Sequence, residues 1–70
     1  MKVNLNLLNS KMALYGDTNE TLSKALDLSQ QRLSAKRNST NGAEFTQSEI
    51  QIIKERYNLT DQEVVEIFLS

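Results

Sequence analysis

Gln30 and Gln31 stand directly after Ser29, and Arg32 follows them. A glutamine amide donates and accepts at once, which matches the N6 and N7 edge of adenine in a bidentate pair. Two glutamines after a cap are also ordinary solvated helix residues, so the pair gains meaning only from its surroundings. Those surroundings are basic. Lys24, Arg32, Lys36 and Arg37 suit phosphates, contacts that position a protein on a duplex without reading its sequence. The same four residues suit a solvated cationic face. Ser34 belongs to the same surface, and Ala35 could touch a thymine methyl or serve as a neutral helix former. Asn38 closes the stretch, at a phosphate or, preferably, as a helix-end cap.

The remaining composition closes off most other chemistry. The chain of 70 residues contains no Cys and no His. That removes disulfides, thiolate nucleophiles, Cys/His zinc sites and imidazole bases together. Its carboxylates do not look catalytic either. Glu49, Asp61 and Glu63 have helix-terminal work, and no glycine-rich phosphate loop accompanies them. The expectation is a non-enzyme with no cofactor, no metal and no small-molecule substrate. Lys and Arg number 8 against 9 Asp and Glu, a formal charge of −1. The average conceals a gradient, +3 over residues 1–42 and −4 over residues 43–70, so a phosphate-binding face could occupy the first half. No apolar run approaches the ~20 residues of a membrane span. The opening Met1-Lys2-Val3-Asn4-Leu5-Asn6-Leu7-Leu8 lacks the apolar core of a secretory signal, and an intracellular soluble domain is expected.

The elements that would position these residues are read from caps, because Pro is absent and Gly occurs only at 16 and 42. Thr46 with Glu49 and Thr60 with Glu63 form Thr-x-x-Glu capping boxes, in which hydroxyl and carboxylate each satisfy the other's orphan amide. Ser29 is a third cap. Each of the three carries a hydrophobic staple: Leu28 with Leu33, Phe45 with Ile50, and Leu59 with Val64. Asp17 or Thr18 starts another helix, with Glu20 in its first turn. Leu5, Leu8, Met12 and Tyr15 mark the inner face of a first helix that Gly16 ends. Leu22, Ala25 and Leu26 mark a second; Ile50, Ile53 and Tyr57 a fourth; Val64, Ile67 and Phe68 a fifth. Residues 38–44 are polar and turn-rich, hence a loop. No period-two alternation is sustained, so no strand is expected. The result is an all-α, five-helix domain over residues 1–70, with helices near 4–15, 18–26, 30–37, 47–57 and 61–69.

Only Asp27 and Leu28 separate the second helix from the Ser29 cap, which forces a steep crossing of the kind found in a helix-turn-helix, here about 18–37. The turn favours a left-handed residue, which Asp tolerates at modest cost. The run Leu22-Ser23-Lys24-Ala25-Leu26-Asp27-Leu28-Ser29-Gln30-Gln31-Arg32-Leu33-Ser34 resembles the helix-turn-helix of Cro/CI-type phage repressors. Leu33 to Asn38, Phe45-Thr46 with Glu49-Ile50, and Glu63 with Ile67-Phe68 extend the likeness to the short Cro-like and modulator-of-repression proteins of temperate phages of Gram-positive bacteria. Ser23 stands where Ala is usual, Asp27 where Gly is usual, and Arg37 where an apolar residue is usual.

The resemblance implies a lambda-repressor-like domain regulating the lysis–lysogeny switch in the cytoplasm of a bacterial host. Two mechanisms stay open: binding of operator DNA through the third helix, or direct contact with the cognate repressor through the same surface. Val65 and Leu69 leave a second apolar strip beside the inner face of the last helix. With Phe68 they form a candidate homodimer interface, since paired units read half-sites one DNA turn apart. A frayed terminal helix would expose the same side chains without consequence.

Overall fold

Helix boundaries in this chain are set by a repeated piece of backbone chemistry. In the computed structural model, which describes residues 3–69, five helices run over α1 Leu5–Leu14, α2 Asn19–Ala25, α3 Gln30–Asn38, α4 Gln47–Arg56 and α5 Asp61–Phe68. A short 3-10 turn, Thr40–Gly42, interrupts the α3–α4 connection, and no strand occurs among the described residues. Met1, Lys2 and Ser70, including the Lys2 counted among the cations of the first half, lie outside them. Three of the four junctions are built alike. Gly16, Asp27 and Asn58 take left-handed backbones, with φ of 68°, 57° and 50°. The next amide then reaches back across the helix end: Asp17 N to Met12 O at 2.8 Å, Leu28 N to Ser23 O at 2.8 Å, Leu59 N to Lys54 O at 2.9 Å. These are Schellman stops, which satisfy carbonyls that the helix itself leaves unpaired. The residue after each is the next helix's cap: Thr18, Ser29 and Thr60.

The capping boxes expected at Thr46 and Thr60 are present, and both Glu49 and Glu63 close them. At α2 the cap is Thr18 rather than Asp17, and its box is completed by Thr21. The tight connection expected between α2 and α3 is therefore real, but it is one instance of a unit used three times.

These stops aim one face of every helix at a shared interior. Leu8, Met12, Leu22, Leu26, Leu33, Ile53, Tyr57, Leu59, Ile67 and Phe68 are buried there. Val3, Leu7, Leu28, Phe45, Ile50 and Val64 pack around them half-buried. The Asn4 amide donates to Ile67 O at 2.7 Å, which ties the start of α1 to the last turn of α5. Two expectations need correction. Tyr15 is half exposed instead of lying on the inner face, because Leu8 and Met12 fill it; its ring leans on Tyr57 at 5.4 Å. Phe68 is buried against Phe45, edge to face at 5.4 Å, and so is not available to a dimer interface. Ser23 is also buried, and its hydroxyl is satisfied by donating to Glu20 O at 2.7 Å.

Leu33, fully buried at the centre of α3, anchors that helix to the rest. Leu33→Ala is expected to cost about 2–5 kcal/mol in urea unfolding, a large share of a small domain's stability. An unchanged unfolding midpoint would remove Leu33 from the centre of the core.

Candidate functional site

The surface singled out in the sequence is the outer face of α3. Ser29 caps it, its hydroxyl accepting from Arg32 N at 3.1 Å, and Gln30, Gln31 and Arg32 project exposed from the first turn. Ser34 and Ala35 are half-buried one turn later, and Asn38 is exposed at the far end. Asn38 does not cap the helix: α3 runs through it, and the left-handed residue is Ser39, with φ of 54°. An open groove of about 370 Å³ runs beside α3, lined by Arg32, Ala35, Asn41, Gly42, Glu44 and Thr46 among others.

The two cations in the last turn of α3 face inward. Lys36 is buried, and its Nζ donates to both carboxylate oxygens of Glu49, at 2.6 and 2.9 Å. Glu49 Oε1 also accepts from Thr46 N at 2.9 Å, so one carboxylate closes a capping box and discharges a buried ammonium. Burial pushes the Glu49 carboxyl up, but the Lys36 and Thr46 donors outweigh it and hold it below the usual range. Lys36 is thus a fastening of α3 to α4 and not a phosphate contact. Arg37 is similarly occupied. Its Nη1 donates to Asn19 Oδ1 at 3.0 Å and its Nη2 to Asn9 Oδ1, while Nε is buried with no hydrogen-bond partner in the structure. That explains an arginine where an apolar residue was expected: it pins α3 to α1 and α2 through two neutral amides. Asn19 also donates to Gln30 O at 3.4 Å, so it touches α3 at both ends.

The basic half read from the sequence is accordingly not a basic face. Of its cations, Lys36 and Arg37 are occupied as described and Lys11 pairs with Glu63 at 2.5 Å; in the acidic half Lys54 pairs with Asp61, and Arg56 reaches back to Asp17. Lys24 lies 3.6 Å from Glu20, both well exposed. Around α3 the cations open to a partner are Arg32 and Lys24.

Asp17, read as a possible cap, turns out to be the hub of a network. Its Oδ2 accepts from Arg56 Nε and Tyr57 OH, each at 2.6 Å, and its Oδ1 from Arg56 Nη2 and Thr21 Oγ1, each at 2.7 Å. The Arg56 guanidinium holds the carboxyl far below the ordinary range, and burial together with Asp17 pushes the Tyr57 phenol up. Four donors saturate this carboxylate, so it joins the α1–α2 junction to the end of α4 and has no lone pair left for a substrate. No cluster of three metal-ligating side chains occurs among the described residues, and none of their helices is long and apolar enough to cross a membrane. On α5, Val65 and Leu69 are each 49% exposed. Compared with protein-family models, curated proteins and solved structures, the chain matches none of them.

Two outcomes follow from these ties. Lys36→Met leaves the Glu49 charge buried without its partner, and is expected to lower stability by about 3–5 kcal/mol in urea unfolding. A loss smaller than about 1 kcal/mol would show that the pair fastens nothing. The second concerns acid. Because the folded Asp17 carboxyl lies below its unfolded value of about 3.9, its contribution is complete above that pH and is lost as pH falls through it toward the folded value. The stability gap between the native chain and Asp17→Asn, read from thermal melts, should therefore narrow steadily below about pH 4. A gap independent of pH would contradict the network.

Proposed function

We propose that this chain is a Cro-like regulator of a phage lysis–lysogeny switch, a lambda-repressor-like helix-turn-helix domain that reads operator DNA with α3 and opposes the lysogenic repressor. The observation that carries the reading is the first turn of α3. Gln30, Gln31 and Arg32 project exposed from a helix held on one flank by Lys36 and on the other by Arg37. A reading element needs this combination, because a bidentate amide pair discriminates bases by about 1–3 kcal/mol only when its backbone is held still. Gln30 and Gln31 take the base edges. Arg32 and Lys24 take phosphates, Ala35 and Ser34 lie one turn deeper, and Asn38 marks the limit of the face.

The internal use of Lys36 and Arg37 supports a second reading. With two cations open near α3, a monomer releases few counterions, and non-specific affinity sits near the weak end of about 10⁻⁴–10⁻⁶ M. A nearly neutral face of amides with one arginine also suits a protein, in which case the chain disables the repressor by direct contact and Arg32 becomes a bidentate anchor to its carboxylates.

The test is a gel-shift titration on phage promoter DNA, with and without purified repressor. Under the first reading, Gln31→Ala reduces preference for the operator and spares non-specific binding. Arg32→Ala then weakens binding to every sequence and flattens the salt slope by about one unit. Equal effects of both changes on all DNA would take α3 out of the groove. A tight complex with the repressor, and no shift by this chain alone, would establish the second reading in place of the first.

A further inference from the structure

In the α3–α4 connection Asn41 stands directly before Gly42, and both are exposed. Asn41 has a left-handed backbone, with φ of 53° and ψ of 34°, and Gly42 follows it with φ of 76°. An asparagine amide lies a single methylene from its own Cα, within reach of the next residue's nitrogen, and glycine leaves that nitrogen unshielded. A Cβ placed on Gly42 would meet nothing within 4 Å, so no neighbouring atom crowds the approach. The turn is closed by Ala43 N, which donates to Thr40 O at 3.0 Å, and none of its residues is buried. Other asparagines are differently placed. Asn58 is left-handed too, but the next residue is Leu59, buried and branched, whose amide is fixed to Lys54 O at 2.9 Å. Asn38 precedes Ser39, whose amide donates into the last turn of α3.

We infer that Asn41 is a site of spontaneous covalent modification, at which the side-chain amide is lost through a succinimide formed with the Gly42 nitrogen. The 41–42 peptide first swings about Asn41 ψ, away from 34°, and brings that nitrogen against Asn41 Cγ. The nitrogen gives its proton to solvent base and bonds to Cγ, the Cγ–Nδ2 bond breaks, and ammonia departs. Water then opens the ring. Opening at Cγ leaves an ordinary aspartate; opening at the main-chain carbonyl leaves isoaspartate, with the chain running through the former side chain. The net change is water in and ammonia out, with nothing oxidised or reduced. An exposed turn opens for little free energy, whereas moving the Leu59 amide beside Asn58 undoes the stop of α4. Either product adds a negative charge to the groove that Asn41 shares with Arg32, the exposed cation in the first turn of α3. The inference rests on the α3–α4 turn and is independent of what α3 binds.

The test ages the native chain, purified in mildly acidic buffer, in its folded state at neutral and at alkaline pH and, in parallel, unfolded in urea. Each sample is then digested and mapped by mass with fragmentation. The peptide that spans Asn41 should gain the mass of an amide-to-acid conversion at that residue, faster at the higher pH. It should do so as two separable products, one of them a substrate for isoaspartyl methyltransferase. The folded chain should react within about tenfold of the unfolded one, and at Asn41 before Asn38 or Asn58. Asn41→Gln, whose longer side chain closes a larger ring far more slowly, should keep its amide over the same time. An Asn41 amide retained in the folded chain but lost in the unfolded one would overturn the proposal, because the turn would then protect it. Earlier loss at Asn58 would do the same, as would aspartate without isoaspartate, the product of direct hydrolysis.

Discussion

An ammonium shut away from water needs a carboxylate, and Lys36 has one because α4 begins where it does. Thr46 and Glu49 exchange hydrogen bonds to start that helix, and the carboxylate so placed then receives the Lys36 ammonium. One side chain decides both where α4 starts and how α3 lies against it. Without the capping box Glu49 would be free to swing, and without Glu49 the ammonium could not remain inside. The position of the α3 outer face follows from this pair, aided on the opposite flank by Arg37 held between Asn9 and Asn19.

What could be read from the sequence was the chemistry that acts over three or four residues. The boxes at Thr46 and Thr60, the Ser29 cap and the stop at Gly16 involve neighbours in the chain, and their signals lie in residue type and spacing. Asn58, in the same left-handed role as Gly16, carried a comparable signal beside Leu59-Thr60. The polar ties between distant elements carried none. Asp17 meets Arg56 across most of the chain, and Arg37 meets Asn9 on another helix. Nothing in the pattern of either pair distinguishes a side chain that will turn inward from one that will stay in water. The surface of α3 was therefore legible in outline, while the division between available and occupied cations waited on three-dimensional packing. Phe68 has two readings in the sequence: helical spacing places it on the inner face of α5, where it is buried, while its use in an outer interface does not fit because Phe45 arrives from another element to cover it.

That division changes the electrostatic character of the molecule. A sequence with a positive half and a negative half suggests a dipolar surface, yet most of the opposite charges meet. Lys36 crosses to Glu49, Lys11 to Glu63 and Arg56 to Asp17. The fold turns much of its charge into cross-links, and what it leaves outside is of mixed sign: Arg32 and Lys24 near α3, with Glu20, Asp27, Glu55 and Glu66 among the exposed carboxylates. Mixed exterior charge favours contacts in which hydrogen-bond geometry and shape decide the partner, with long-range attraction contributing little.

The three left-handed corners have a bearing on heredity as well as on shape. Gly16, Asp27 and Asn58 all lie on the exterior, where substitutions are ordinarily harmless, and a glycine Cβ at position 16 would meet nothing. Their backbone angles nonetheless admit few residue types, and β-branched residues least of all. Exposure is therefore a poor guide to permissiveness in this chain. These three surface positions are restricted by the backbone alone, and the cost of change there is borne by the direction in which the next helix departs.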